Sequence, residues 1–205
     1  MERIAVIGAG GHARETIDAA RAAGLDVIAV IDENEALWGR EVSGVSVLSG
    51  GLSAIEGLEP ETGVVVAIGD NPARRRIAAA CAGRRFTTVI HPFSWISPGA
   101  KIGEGAMIFA GCVVQTGASI GAHVILNTGA TVSHDCQVGA FSHIAVGAHL
   151  AGNVTVGEGV LIGAGVTARP GARIGDGATV GAGASVIADV PAGATAFGAG
   201  NARPR

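Results

Sequence analysis

The sequence lacks the features of several common functional classes. It has no tyrosine and only 3% aromatic residues, so its mean hydropathy of +0.46 comes from aliphatic residues, alanine and glycine. No run of 18 apolar residues occurs, because Gly, Asp, Glu or Arg interrupts every apolar stretch, which argues against a transmembrane helix. Charged residues make up 15% and the net charge is -3, so no basic surface is available for nucleic acid or an anionic membrane.

Cysteine is also scarce. The three cysteines, Cys81, Cys112 and Cys136, are an odd number without a paired spacing, and we interpret them as small buried hydrophobes in a reducing compartment. The chain enters an apolar strand directly, without the pattern of a signal peptide. We therefore expect a cytoplasmic protein.

What the sequence does contain is a six-residue repeat from Ile96 to Ala192. Stepping by six from Ile96 gives 17 positions, of which 15 are Ile, Val or Leu. A fixed short period is typical of a repeat architecture, and a period of six fits neither a helix nor a hairpin. It predicts a coil with three short strands per turn, and the run is long enough for a little over five turns.

The first part of the chain has an α/β pattern instead. An apolar strand at residues 3–7 is followed by GAGGH, a predicted helix at about 13–23 and a second strand, VIAVID. A glycine-rich turn at a helix N-terminus suits a phosphate, and Asp32 and Glu33 lie where such sheets hold a ribose or base. A full G-x-G-x-x-G is missing, so a nucleotide or nucleotide-sugar site is favoured over a nicotinamide site; a purely structural turn is the alternative.

Further strands are predicted at 45–48, 63–68 and 86–90, and a helix at 72–81. Arg74, Arg75 and Arg76 open that helix; solvated surface is the default interpretation and a ligand phosphate the alternative. His91-Pro92 marks the domain boundary, since a residue before proline is held extended. We predict a Rossmann-like α/β domain at 1–91, an all-β repeat domain at 92–197 that coils with three short strands per turn, and a tail at 198–205.

Sorting the repeats by face gives two unusual columns. In one, His134 stacks between Thr116 and Gly152, one strand spacing (roughly 4.8 Å) away on either side, and Gly152 leaves bare backbone beside the imidazole. The other column is apolar with a histidine at its centre, and we interpret it as a subunit interface or cofactor groove. Its members are Met107, Ile125, His143, Leu161 and Thr179.

The chemistry centres on His134-Asp135. An imidazole is the natural general base at neutral pH, and a neighbouring carboxylate can orient it. No serine or cysteine is placed as a nucleophile, which favours direct attack by a substrate amine or hydroxyl. The alternatives are a solvated corner histidine or a zinc site using the four histidines in 123–149; we expect no metal, and His123 and His149 at the surface or an interface.

The stretch NTGATVSHDCQVGAFSHIAVGAHLAGNVTVGEG resembles the hexapeptide-repeat acyltransferases. With GAGGH, IDE, AIGDN and HP, the chain looks like the branch that acetylates sialic acid or nucleotide-linked amino sugars, including bacillosamine- and perosamine-type N-acetyltransferases. The resemblance covers nearly the whole chain. It implies a left-handed β-helix, a homotrimer with active sites between subunits, and acetyl-CoA as donor. The tail GAGNARPR departs from the family's usual ending, which leaves the contacts of the CoA adenine open.

The resemblance also implies roles for individual residues. His134 would be the general base, Asp135 its orienting carboxylate and Asn127 a supporting residue. Acetyl-CoA would contact His143 at its thioester and the backbone of Gly152, Ala164 and Ala182. The nucleotide sugar would bind a set in the first domain, namely Gly10, Gly11, His12, Asp32, Glu33 and Gly69.

We therefore predict acetyl transfer to the 4-amino group of a nucleotide-linked 4-amino-4,6-dideoxy sugar in bacterial surface-glycan biosynthesis, such as that of lipopolysaccharide O-antigen. O-acetylation of a sugar such as sialic acid is one alternative, because a hydroxyl would use the same histidine. A non-enzymatic trimeric scaffold is the other, and the presence of His134-Asp135 argues against it.

Overall fold

A computed structural model describes residues 1–197 and the backbone of residues 202–203. The predicted tail, 198–205, lies outside the described residues apart from that two-residue segment. Within the described part of the chain, no helix has the length and apolar character needed to cross a bilayer.

The chain begins with an α/β domain whose sheet has the strand order β3-β4-β2-β1-β5. Strands β4, β2, β1 and β5 run parallel, and β3 is antiparallel to β4. The elements are β1 (Arg3–Ile7), α1 (Gly11–Ala22), β2 (Asp26–Ile31), β3 (Glu41–Val42), β4 (Val45–Leu48), β5 (Gly63–Val66) and α2 (Asn71–Ala80), with 3₁₀ helices at Glu35–Leu37 and Gly51–Gly57. This arrangement confirms the predicted Rossmann-like domain.

The rest of the chain is a parallel β-helix built from two-residue strands. Each strand pairs with the equivalent strand of the next coil, for example Thr131 with His149 and Val132 with Leu150. The strands are β6 (Val89–Ile90), β7 (Trp95–Ile96), β8 (Lys101–Ile102), β9 (Met107–Ile108), β10 (Val113–Val114), β11 (Ser119–Ile120), β12 (Ile125–Leu126), β13 (Thr131–Val132), β14 (Gln137–Val138), β15 (His143–Ile144), β16 (His149–Leu150), β17 (Thr155–Val156), β18 (Leu161–Ile162), β19 (Thr167–Ala168), β20 (Arg173–Ile174), β21 (Thr179–Val180), β22 (Ser185–Val186) and β23 (Thr195–Ala196). A last strand, β24 (Ala202–Arg203), pairs antiparallel with β23.

Three faces follow from this pairing. Face 1 contains β7, β10, β13, β16, β19 and β22; face 2 contains β8, β11, β14, β17 and β20; face 3 contains β6, β9, β12, β15, β18, β21 and β23. The repeating Ile, Val and Leu side chains fill the prism, for example Val132, Ile144 and Leu150. Such burial stabilises by about 25 cal/mol per Å² of apolar surface. The predicted left-handed hexapeptide β-helix is confirmed.

The α/β domain packs on face 3 of its own β-helix. Met107 and Ile125 are fully buried and belong to the same apolar cluster as Ala13 and Ile17 of α1. The interpretation of their column as a subunit interface or cofactor groove is therefore wrong for these two residues, because a helix of the same chain covers them. Leu161, farther along the column, is 37% exposed.

The β-helix also starts earlier than the repeat pattern indicated. The predicted strand at 86–90 is split: Phe86 forms an isolated bridge to Val64 of the first sheet, whereas β6 pairs with β9 on face 3. Val89–Ile90 is thus the first β-helix strand, although it precedes His91-Pro92. The reason is that backbone pairing between successive coils does not require the hexad sequence.

Candidate active site

His134 and Asp135 lie in the corner between faces 1 and 2, directly after β13. The Nδ1 atom of His134 is 2.9 Å from Oδ2 of Asp135, and both side chains are about half exposed. A carboxylate oxygen only accepts hydrogen bonds, so this contact places the imidazole proton on Nδ1 and leaves the Nε2 lone pair free. The pair has the geometry of an oriented general base.

The backbone at Asp135 is unusual for a non-glycine residue. Its φ is +59°, in a left-handed corner position that glycine occupies in most repeats. The non-glycine exceptions within the repeats are His123, Asp135, Phe141 and Asn153. Such strain commonly marks functional positions, and Asn153 lies one coil from Asp135, where its N–H donates to the His134 carbonyl at 3.0 Å. Missing glycines in a periodic column are a signal that sequence inspection alone could have used.

Gly152 lies directly against the His134 ring, as the face sorting predicted. A Cβ atom at this position would be 2.5 Å from both Cε1 and Nε2 of His134, so a side chain here would displace the imidazole. The Gly152 N–H has no hydrogen-bond acceptor among residues 1–197. We call His134, Asp135 and Gly152 the base half-site.

A second group gathers where the α/β domain meets face 3. Nδ1 of His143 is 3.3 Å from the Gly69 carbonyl oxygen, and its Nε2 is 3.5 Å from the Asn127 amide nitrogen. The His12 ring lies 5.6 Å from the His143 ring, centroid to centroid. We call His12, Gly69, Asn127 and His143 the acceptor half-site.

Both histidines of the acceptor half-site are neutral at physiological pH. Burial lowers the pKa of His12 to about 4, with a smaller contribution from the charge of Arg74. Burial likewise lowers the pKa of His143 to about 4, and repulsion from a protonated His12 and from Arg74 acts in the same direction. The Nε2 atom of His12 is buried with no hydrogen-bond partner among the described residues. A buried polar atom without a partner is costly, so this nitrogen is a candidate ligand contact.

The glycine-rich turn leads from β1 into α1. Gly10 is the N-cap residue and has no side-chain cap, so the first N–H groups of the helix, from Gly11 onward, are open to an anion. Gly8 has a φ of +111°, and a Cβ there would be 2.9 Å from the Ala67 carbonyl oxygen. The turn therefore depends on Gly8 for its close packing against the end of β5.

Asp32 and Glu33 both accept hydrogen bonds from backbone N–H groups, one of which lies in the glycine-rich turn. Asp32 accepts from the N–H groups of Ala9 and Asn34, each at 2.8 Å, and Glu33 accepts from that of Leu52 at 2.7 Å. The two acidic residues also line a cavity of about 180 Å³. The other lining residues are Ile7, Gly8, Ile31, Leu52, Ile68, Arg76 and Ile77.

The base half-site and the acceptor half-site are separate within one chain. Among the described residues, no hydrogen bond, ion pair or ring contact joins His134 to His12 or His143. The predicted cofactor residues are divided as well: Gly152 lies in the corner between faces 1 and 2, whereas Ala164 and Ala182 lie exposed in the corner between faces 3 and 1. Their N–H groups likewise have no acceptor in the described part of the chain.

The three arginines of α2 do not share one environment. Arg74 is fully buried, so the default interpretation as solvated surface is wrong for it. Arg75 is exposed and pairs with Glu158 at 3.0 Å, and Arg76 lines the cavity beside Asp32. A helical stripe buries one residue in each turn, and sequence does not reveal which arginine faces the second domain.

His123 also differs from expectation. It is 4% exposed, its ring stacks on that of Phe141 at 4.8 Å, and it makes a T-shaped contact with Phe86 at 4.5 Å. The expectation of a surface position is therefore wrong for His123, which lies where the α/β domain packs on the β-helix. His149 is exposed, and its Nδ1 lies 2.9 Å from the Thr131 hydroxyl.

The cysteines are buried, and the described residues contain no cluster suited to a metal ion. Cys81, Cys112 and Cys136 are free and buried, and burial raises the pKa of the Cys112 thiol to about 11, which confirms their interpretation as small buried hydrophobes. Among the residues that the structure describes, no group of three or more His, Cys, Asp or Glu side chains is arranged to hold a metal ion.

Comparison with known proteins covers both domains. The family described as the PglD N-terminal domain matches residues 3–81, and the bacterial transferase hexapeptide family matches residues 99–134 and 153–188. A curated relative, the UDP-N-acetylbacillosamine N-acetyltransferase of Bacillus subtilis, is 36% identical over 115 residues. That alignment spans 54% of this chain and 52% of the relative, about half the relative's length.

Two groups of solved structures match the whole chain. The acetyltransferase domain of PglB from Neisseria gonorrhoeae, in complex with acetyl coenzyme A, is 40% identical with a TM-score of 0.90, covering 100% of this chain and 99% of that one. A mutant perosamine N-acetyltransferase from Caulobacter crescentus, in complex with CoA and GDP-perosamine, is 35% identical with a TM-score of 0.92, covering 100% and 98%. The chain therefore belongs to the hexapeptide-repeat acyltransferase family, in the branch of the bacillosamine and perosamine N-acetyltransferases.

Proposed function

We propose that this protein transfers the acetyl group of acetyl-CoA to the 4-amino group of a nucleotide-linked 4-amino-4,6-dideoxy sugar. The observation that carries the proposal is whole-chain similarity to a perosamine N-acetyltransferase, which includes the α/β domain as well as the β-helix. A nucleotide-linked acceptor accounts for both domains: the uncapped start of α1 suits its phosphates, and the cavity beside Asp32 suits its ribose or base.

The residues of the base half-site suit a direct transfer. The sugar amine attacks the thioester carbonyl, so that a C–N bond forms and the C–S bond then breaks. The free Nε2 of His134 takes a proton from the amine nitrogen, and the Asp135 carboxylate stabilises the resulting imidazolium. The unpaired N–H of Gly152 is a donor for the oxyanion, and CoA leaves as the thiol after proton return.

We propose further that the active site is composed across a homotrimer. The base half-site and the acceptor half-site lie apart in one chain, and a ring of identical subunits would bring the first of one subunit against the second of its neighbour. His12 Nε2, buried and unpaired, would then face substrate. Because nucleotide sugars and acetyl-CoA are cytoplasmic metabolites, we place the reaction in the cytoplasm, as a step in bacterial surface-glycan biosynthesis.

A thiol-release assay tests this function. Acetyl-CoA is offered with UDP-, GDP- and dTDP-linked 4-amino sugars, each paired with the matching 4-hydroxy sugar. We expect CoA release with an amino sugar and little with its hydroxy counterpart. Release with only the hydroxy sugars would instead identify an O-acetyltransferase, and no release with any member would favour a binding scaffold.

A further inference from the structure

Arg74 is a buried cation that contacts both domains. It is fully buried, and its guanidinium is surrounded by backbone carbonyls and one side-chain amide. Nη1 donates to the carbonyl oxygens of Ile68 and Gly69 at 2.8 and 3.2 Å, and Nε donates to that of His123 at 2.9 Å. Nη2 donates to the Asn71 amide oxygen and the Phe141 carbonyl, each at 2.8 Å, and to the Ser142 carbonyl at 3.4 Å.

These contacts require an arginine. Burying a cation costs several kcal/mol unless its donors are satisfied, and among the described residues no carboxylate accepts a hydrogen bond from Arg74. Burial lowers its pKa to about 10, so it stays charged at neutral pH. Only a five-donor fork reaches carbonyls on three sides at once, and a lysine ammonium would satisfy at most three.

The β-helix carbonyls that Arg74 contacts lie along one corner of the prism. His123, Phe141 and Gly159 occupy equivalent positions of this corner in successive coils, each with a positive φ. Arg74 binds the first two, and Asn71 binds the third through its amide nitrogen, 3.0 Å from the Gly159 carbonyl oxygen. The first turn of α2 is therefore fixed against three coils.

The Gly69 carbonyl connects the Arg74 guanidinium to His143. The Gly69 carbonyl that accepts from Arg74 also faces Nδ1 of His143 at 3.3 Å. Since a carbonyl only accepts, this contact requires the His143 proton on Nδ1 and leaves Nε2 as the acceptor. The Asn127 amide nitrogen, 3.5 Å from Nε2, is a donor and fits that tautomer.

We propose that Arg74 is a positioning residue, which fixes the Gly69 carbonyl and the first turn of α2 so that His143 presents an unprotonated Nε2 to the acceptor. In this state His143 accepts a hydrogen bond and donates none from Nε2. Besides the Asn127 amide at 3.5 Å, this nitrogen accepts from an N–H of the sugar amine or from a water, and the carbonyl oxygen of the thioester is excluded as its partner.

The first test reads the tautomer and does not depend on substrate identity. In histidine-selectively ¹⁵N-labelled protein, we expect the His143 signals of the wild type to show a protonated Nδ1 and no titration from pH 8 to 5.5. In Arg74→Met, we expect a mixture of tautomers or titration within this range. If His143 in Arg74→Met keeps its proton on Nδ1 and still does not titrate between pH 8 and 5.5, the proposal is wrong, whatever the enzyme acetylates.

The second test is kinetic and depends on the proposed function. Arg74→Lys keeps the positive charge but lacks the planar guanidinium with its five donors. We expect kcat/KM for the amino sugar to fall about 10- to 100-fold, because a small misplacement of reacting groups has an effect of this size. Arg75→Ala is the matched control, because Arg75 is exposed and contacts Phe141 and Glu158 of the same corner without reaching Gly69. Equal losses in both variants would refute a specific role for Arg74. Should Arg74→Met fail to fold, the tautomer in Arg74→Lys decides in the same way.

Discussion

At the scale of single residues, two features of the corner that carries His134 set the position of its imidazole. Asp135 replaces a glycine at a left-handed position, and Gly152 replaces a side chain that would strike the imidazole. One change brings a carboxylate within 2.9 Å of Nδ1, and the other clears space beside Nε2. Together they orient a solvent-exposed imidazole and leave its Nε2 atom open, as the proposed base requires.

Replacing the base should reduce turnover strongly. In His134→Asn, kcat should fall by about 10²- to 10⁴-fold, because general-base catalysis contributes on that order. Asp135→Asn should cost less, since it keeps the left-handed backbone but not the charge that stabilises the imidazolium. Steady-state CoA release measures both. Ser133→Ala, beside the base, is the control and should keep turnover; near-full activity of His134→Asn would disprove the mechanism.

Filling the space beside the imidazole should act on the same step. In Gly152→Ala, the new Cβ lies 2.5 Å from the ring unless the ring moves, so kcat should fall about 10- to 100-fold with little change in melting temperature. Gly57→Ala, whose Cβ meets nothing within 4 Å, controls for the substitution itself. Unchanged kcat in Gly152→Ala would show that the His134 position observed here is not the working one.

At the scale of elements, a row of ring contacts joins α2 to one corner of the β-helix. The Phe86 ring makes a T-shaped contact with His123, His123 stacks on Phe141, and the Arg75 guanidinium lies 4.6 Å from the centre of the Phe141 ring. Burial lowers the pKa of His123 to about 4, with a further effect of the Arg74 charge. The packing of the two domains therefore includes a histidine that must stay neutral.

Stability should consequently decline in mild acid. An unfolded histidine takes up a proton near pH 6.5, whereas His123 does so only near pH 4 in the folded protein, so the unfolded state binds more protons between these values. Stability is lost as the pH falls from about 6.5 to about 4, by up to about 1.4 kcal/mol per pH unit for each such histidine. His12 and His143 add to this loss in the same direction.

The contribution of His123 can be isolated. In His123→Asn, which tolerates the left-handed backbone, the difference between unfolding free energies at pH 7.5 and 5.0 should be smaller than in the wild type. Denaturant unfolding measures both values. His149→Asn makes the same change on an exposed surface and should leave the difference as it is. An unaltered difference in His123→Asn would mean that His123 is protonated in the folded protein.

At the scale of the whole molecule, one chain holds two incomplete half-sites. His134→Ala and His143→Ala should each abolish most activity, yet mixed trimers of the two should recover it where intact half-sites of neighbouring subunits meet. In a mixed trimer of either composition, the recovery is about a third of the wild-type rate, because one of its three sites is intact in a heterologous ring.

The complementation experiment separates this arrangement from a site within one chain. The two variants are co-expressed, and mixed trimers are isolated by two affinity tags and verified by native mass spectrometry. Simple mixing of preassembled variants is the control and should stay inactive. Verified mixed trimers without any recovered activity would place both half-sites in the same subunit.

The six-residue period is sufficient to predict the β-helix and the place of His134 within it. A period of six with three strands per coil places each residue beside its equivalent in the next coil, so His134 had to lie beside Gly152 whatever the rest of the chain does. The glycine-rich turn and the α/β order were equally local signals, because they depend on strands and a helix that are neighbours along the chain.

The period does not indicate which surfaces of the coil are covered; the folded structure does. Met107, Ile125 and His123 are buried, and Arg74 reaches carbonyls in two consecutive coils, because the α/β domain docks on face 3 and the adjoining corner. The docking depends on packing between residues that are far apart in sequence, so the six-residue period cannot predict it.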